Sequence, residues 1–239
     1  MANRKRIVRW VLIAAGLGVV VLGAMGVMAY RRAMAEPGYW QIVDTTDEAV
    51  ARDSGDFEQW ITSQFSKQRP AGEQWQIELT TMDVNRWLAT RLPSWAANQA
   101  VAIPDWLAHP MVAIENQRII GACEVNRAGQ RLILTLAYRP VTGETGVALE
   151  LAGVYLGKQK VASNGEQLLD RLRALGAAGD LDGDEADVLR ERIDRVALAG
   201  SLGDGRTVRV KKISLSDGGM VLTSVTEYAG RPIGTPDGT

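Results

Sequence analysis

"MVAIENQRIIGACEVNRAGQRLILTLAYRPVTGETGVALELAGVYL", residues 111–156, is the stretch on which the fold turns. Apolar residues recur here with a period of two, as strands require, and not with the 3.6 of a helix. Short turn signals divide the stretch into four runs: Asn116-Gln117, "NRAGQ" at 126–130 and "TGETG" at 142–146. Strands joined by turns this short pair as an antiparallel meander. Leu132, Leu134, Leu136 and Tyr138 share the apolar face of the third run, and Val147, Leu149, Leu151 and Tyr155 share that of the fourth. The alternate positions (Ile133, Thr135, Ala137; Ala148, Glu150, Ala152) mix polar and small residues. One buried face and one wet face are expected, as in an antiparallel sheet covered on one side.

On either side the period lengthens. Phe57, Trp60, Ile61 and Phe65 make a helical stripe, with Thr45 and Glu48 as a capping box and Ser54-Gly55 as a point where the helix divides. Trp75, Ile77 and Leu79 alternate in a short strand. Thr80 and Asp83 then cap a helix carrying Val84, Trp87, Leu88 and Leu92, which Pro93 ends. Downstream, Ser163 and Glu166 cap a helix with Leu168, Leu169, Leu172 and Leu175, closed by Gly176. Val188, Leu189, Ile193 and Val196 mark another helix. Residues 206–228 read as a hairpin turning at Asp217-Gly218-Gly219, with a bulge at Lys211-Lys212. The expected class is therefore α+β, an antiparallel meander packed with amphipathic helices.

The chain opens differently. Trp10 to Tyr30 contains no charged side chain. As a helix these 21 residues reach about 31 Å, matching a hydrocarbon core of roughly 30 Å. Trp10 and Tyr30 sit at headgroup level, joined beyond the span by Arg31, Arg32 and Trp40. Four basic residues precede the span (Arg4, Lys5, Arg6, Arg9) and two follow it, which puts the N-terminus in the cytoplasm. The span is longer than a signal-peptide core, and Arg31 and Arg32 separate it from Ala33-Met34-Ala35, so an uncleaved anchor is expected. The expected organisation is a basic cytoplasmic tail over 1–9, a transmembrane helix over 10–30, a linker over 31–45, an extracytoplasmic domain over 46–228 and a disordered tail over 229–239. The localisation that follows is a bacterial cytoplasmic membrane.

Six of the 27 basic residues lie before residue 33, where there is no acid. The other 21 face 28 acids, a net of −7 that disfavours nucleic acid as a partner. The single cysteine, Cys123, forms no internal disulfide and reads as a small buried hydrophobe. With one histidine, His109, read as a loop residue, a Cys/His zinc cluster is excluded. "DLDGDEADVL" at 180–189 lacks the first and last ligands of a calcium loop and reads as an acidic helix start. The glycines of "GLGVVVLG" lie inside the apolar run and cradle no phosphate. No Gly-x-Ser-x-Gly elbow is present. A carboxylate pair stays open as the one route to hydrolysis, with Glu124 and Glu150 interrupting apolar strands. No catalytic residue, cofactor or metal ligand is assigned.

The basic start, single span, "IELTTMDVNRWLATRL", "HPMVAIENQRIIGACEV" and "LAYRPV" with "VALELAGVYLGKQKV" together resemble bacterial membrane-anchored proteins of the YpmS-like kind. Asn85 stands in that group's "T-x-x-(D/E)-x-N" helix start. The likeness spans roughly residues 75–175 and omits the prolines usual around "GKQKVASN". It implies a tubular lipid-binding (TULIP-like) domain, a curved sheet around a helix with an apolar groove and no catalytic residues. On that reading Trp87, Leu88, Leu134, Leu136, Leu149 and Leu151 line the groove. The expected function is a membrane-anchored module that binds or passes a lipid at the envelope. The alternative is a non-enzymatic adaptor or scaffold for an envelope protein complex.

Overall fold

A computed structural model describes residues 22–100, 107–127, 129–143, 146–174, 193–202 and 204–228, and the isolated positions 103, 187, 190 and 191. The protein is α+β, and its strands form two antiparallel sheets.

The six-stranded sheet is the meander. It contains β2 (Leu107–Glu115), β3 (Arg118–Arg127), β4 (Gln130–Gly143), β5 (Gly146–Leu156) and β6 (Gln159–Ala162), paired in that order, with β7 (Arg195–Ala197) on the outer edge of β5. The predicted turns fall where expected. β2 begins four residues earlier than "MVAIE", because the chain bulges between Ala108 and Met111. His109 takes φ +48° inside that bulge and is a strand residue, not the loop residue expected.

The four-stranded sheet joins distant segments. It runs β1 (Gln74–Thr80), β10 (Gly219–Tyr228), β9 (Arg206–Ser216) and β8 (Ala199–Ser201). The final hairpin thus pairs with a strand about 140 residues earlier, opposing Ile77 to Leu222. Its bulge lies where predicted: Lys212 faces Thr223 and Val210 faces Ser224, leaving Lys211 over.

Residues 195–201 connect the sheets. The first half pairs with β5 and the second with β9. Leu198, between them, donates its N–H to the Val147 carbonyl (3.2 Å) and accepts from the Val210 N–H (3.0 Å). Leu198 therefore passes between the sheets with both of its backbone groups paired. A Cβ on Gly146 would lie 2.8 Å from the Val210 carbonyl oxygen, so only glycine admits β9 this close. Val196 lies in this strand and not on the helical stripe expected for it. β-branched Val196 suits an extended backbone, and pairing with β5 decides its state. Val188 and Leu189 lie outside the described residues, as do 180–186.

Among the described residues the helices are α1 (residues 22–34), α2 (Glu48–Ser66), α3 (Thr81–Thr90), α4 (Leu92–Asn98) and α5 (Gly165–Ala174), and the described positions 187, 190, 191, 193 and 194 are also helical, as expected for Ile193. α2 is capped by Asp47, which accepts from the Ala49 N–H (2.8 Å), and not by Thr45. It also runs unbroken through Ser54-Gly55, where the buried Ser54 hydroxyl returns to the Val50 carbonyl (2.7 Å). Thr80 caps α3 as predicted, accepting from the Asp83 N–H (3.1 Å). Pro93 does more than end α3: it occupies the first turn of α4, where its missing N–H costs nothing. At α5 the capping oxygen belongs to Asn164, one residue later than expected; it accepts from the Gln167 N–H (2.9 Å). Leu175 and Gly176 fall outside the described residues, as does the tail 229–239.

Three apolar clusters hold these parts together. Ile61 and Phe65 of α2 cover Trp75, Ile77 and Val208 of the four-stranded sheet. Leu168 of α5 packs with Val154 and Ala162, ringed by Leu134, Leu136, Leu151, Val161 and Ile193. Met111, Ala122 and Ile133 take Tyr39 and Trp40 on the opposite face of the meander.

That last cluster corrects the expected wet face. Ile133, Thr135 and Ala137 are the deepest residues of β4, each under 5% exposed. The leucine face is only half-buried. The sequence pattern ranks the faces by hydrophobicity, but it does not show that residues 33–40 fold back to cover the weaker one. Among the described residues, no helix is long and apolar enough to cross a membrane. The run 10–30 is described only from residue 22.

Candidate functional site

The segment that follows α1 straps the meander. The Lys158 N–H donates to the Arg32 carbonyl (2.8 Å), tying the end of α1 to the β5–β6 turn. A side chain on Gly157 would collide with the Ala33 and Ala35 carbonyls, and its φ of +53° also favours glycine. Glu36 reaches Arg131 (2.9 Å), which holds Glu124 (2.6 Å). Tyr39 shares a hydrogen bond with the Thr135 hydroxyl (2.7 Å). Pro37 is buried between these contacts.

A half-enclosed cavity of 340 Å³ lies beside the strap. Pro37, Gly38 and Tyr39 border it, and Ile120, Thr135, Ala137 and Tyr155 form its floor. Arg118 and Lys158 also line it, with Glu115 the single acid. Burial pushes the Tyr39 hydroxyl pKa up; the Thr135 hydrogen bond pulls it down, and Glu115 and Tyr155 add to the rise. Tyr39 is therefore a neutral hydroxyl near pH 7. Arg118 and Lys158 form no ion pair or side-chain hydrogen bond among the described residues.

Among the described residues Glu124 is the most buried carboxylate, 8% exposed. Burial alone raises its pKa, but the Arg131 and Asn126 hydrogen bonds outweigh that, and it stays below the ordinary glutamate range. It is a paired structural acid. Its strand neighbour Cys123, on the leucine face, has its thiol pushed up to about 11 by burial. A thiol so placed is a poor nucleophile at neutral pH. Glu150 is partly exposed beside Arg139 (3.7 Å). Among the described residues no group of three metal-ligating side chains occurs.

The residues expected to line a groove separate into two places. Leu134, Leu136 and Leu151 come together around Val154, under α5. Leu149 lies two residues along β5, paired with Val196. Trp87 and Leu88 belong to α3, half-buried, and Trp87 meets Trp95 edge-on (centroids 6.4 Å). α3 is held to the free edge of β2 by Asn85. The Asn85 amide accepts from the Val112 N–H (2.6 Å) and donates to the Val112 carbonyl (2.8 Å), occupying both groups of an edge residue.

Of the interfacial residues expected at the membrane, Tyr30, Arg31 and Arg32 are exposed on α1, whereas Trp40 packs on the meander. Trp10 lies outside the described residues. The sequence reading missed the cavity. Its one local signal is the pair of tight turns, Asn116-Gln117 and Gly157-Lys158, each followed or filled by a cation. Nothing local shows that "AEPGYW" covers the space between them. No protein-family model, curated protein or solved structure matches the chain.

Proposed function

We propose that the protein is anchored by a single span over residues 10–30, N-terminus in the cytoplasm, with its α+β body on the extracytoplasmic face. The body is a non-catalytic module that binds or passes a lipid or other apolar ligand. The observation that carries the anchor is α1. Its residues 22–29 are apolar on every side and uncovered: Leu22, Met25, Val27 and Met28 are 59–70% exposed. Leaving such side chains in water forgoes roughly 1.5–3 kcal/mol each. A bilayer removes that cost, and the docked strap then holds the body against the membrane. The half-buried leucine face, with Val112, Val125 and Leu132 beside Leu134, supports the lipid reading.

Alkaline carbonate extraction of the full chain tests the anchor: it stays with the membrane pellet if 10–30 spans, and its release disproves the reading. Lipid analysis of the detergent-purified chain, with Leu132→Glu as the comparison, tests the ligand. Wild type retains more lipid than the variant; equal amounts in both argue against the leucine face.

A second reading, an adaptor for an envelope protein, rests on Trp60, Met82 and Trp95, which are 38–57% exposed on α2, α3 and α4. Aromatic residues of this kind anchor protein interfaces. A photo-crosslinker at Trp95 that captures one stoichiometric partner in cells would favour it.

A further inference from the structure

We infer that the cavity beside the strap binds the phosphate headgroup of an anionic phospholipid taken from the membrane that holds α1. The inference rests on the anchor proposed above and adds a site on the face opposite the leucines.

Three observations meet there. First, position: Lys158 is bonded through its backbone to Arg32, so this end of the cavity lies where α1 would leave the bilayer. Arg31 and Arg32 are exposed at the same place. Basic residues at that level attract anionic headgroups. Second, charge: Lys158 and Arg118 line the cavity with one acid, Glu115, which stands opposite Arg118 across the β2–β3 turn and away from Lys158. Lys158 has no ion pair among the described residues, and it is the cation that the phosphate meets. Third, shape: Gly157 bonds level with Ile133, while Arg118 lies level with Arg139, beside the Ile119–Tyr138 pair. Six residues of strand separate those levels, about 20 Å at roughly 3.3 Å each. A bare phosphate occupies one end of such a slot. A phospholipid places its phosphate at Lys158 and lays its glycerol and first methylenes over Ile120 and Ala137, both at most 5% exposed.

The experiment uses the full chain in nanodiscs of phosphatidylcholine with one fifth phosphatidylglycerol. After transfer to a neutral detergent, native mass spectrometry counts the lipid retained. One phosphatidylglycerol per wild-type chain is expected. Lys158→Gln retains about tenfold less, the scale of one charge-assisted contact. Gly38→Trp blocks the mouth and loses this phosphatidylglycerol with every charge in place, whereas Leu132→Glu on the opposite face keeps it. A Cβ at Gly38 meets nothing within 4 Å, so the side chain starts in open space, and an unchanged unfolding midpoint shows that the variant folds.

Equal retention by wild type, Lys158→Gln and Gly38→Trp overturns the site. Complete displacement by 10 mM inorganic phosphate, on the order of a weak millimolar ligand, assigns the pocket to free phosphate and overturns the lipid. Carbonate extraction of the same preparations separates the two levels. A chain that stays in the membrane but retains no lipid defeats the headgroup site and leaves the anchor standing. A chain released by carbonate defeats both.

Discussion

The two sheets reach similar packing by opposite routes. Every long strand of the meander pairs with its sequence neighbour. The four-stranded sheet instead pairs β1 with β10 and depends on a strand that has crossed from the other sheet. Its core is also the more completely satisfied. Trp75 is 8% exposed and donates its indole N–H to the Thr226 hydroxyl (3.1 Å). Its ring meets Phe65 edge-on and lies under the Arg69 guanidinium (4.0 Å to the centroid). Trp40, its counterpart on the meander, has a buried indole N–H with no partner among the described residues. The contrast separates what local turns build for little loop entropy from what long-range pairing must secure with specific contacts.

Trp75→Ala should break the comparison most severely. Truncating a buried tryptophan costs about 3–5 kcal/mol, and here Thr226 also loses its donor. Urea unfolding should show the midpoint fall, with protection lost first in β1, β9 and β10 by hydrogen exchange. Equal early loss in β3 and β4 would mean that the sheets unfold as one.

Asn85→Ala acts at the meander's open edge and should cost about 2 kcal/mol, since two half-buried backbone groups lose their partners. It also leaves β2 free to pair with another chain, so light scattering should rise with concentration. Asn85→Asp keeps the acceptor for the Val112 N–H but removes the donor to its carbonyl, and its loss should be smaller. If the two variants match, the carbonyl contact carries the edge.

Glu124→Gln sharpens the contrast through pH. The folded carboxyl pKa is held below its ordinary value, so its stabilisation is complete above the unfolded value of about 4.3 and fades as pH falls through the folded one. At pH 7 the variant should unfold about 1–2 kcal/mol more readily, and the gap should close in acid. A gap constant from pH 7 to pH 3 would show that Arg131 and Asn126 do not depend on the charge.

The same contrast explains how much of the molecule is legible in sequence. The strands of 111–156, the Thr80 cap and the final hairpin with its Lys211 bulge follow from turn chemistry and periodicity within a dozen residues. The caps at Asp47 and Asn164 slipped by one or two positions because Thr, Asp, Ser and Asn compete for that role on similar terms. The pairing of β1 with β10 and the crossing at Leu198 leave no local trace, since any strand edge of suitable length can accept another. The site fared likewise: Leu134, Leu136 and Leu151 do meet, as a shared face predicts, but Trp87 lies on α3 with Trp95. The cavity depends on a strap that reads, residue by residue, as a linker.

Trp40→Phe is the finest probe of the difference, and the smallest effect expected. Trp40 packs its ring against Met111, Ala122 and Ile133, so the change loses part of an apolar contact. It also removes an N–H that is buried without an acceptor, a group whose desolvation costs about 1–3 kcal/mol. The two contributions oppose each other, and the net change should lie within about 0.5 kcal/mol of zero. Trp75→Phe loses a comparable contact together with a satisfied hydrogen bond and weakens the cation–π contact with Arg69, so it should cost clearly more, about 2 kcal/mol. Unfolding curves of the two variants, measured together, isolate indole satisfaction from ring size. If Trp40→Phe proves as costly as Trp75→Phe, water or another group must meet the Trp40 N–H. The strap is then as fully bonded to the meander as α2 is to the other sheet.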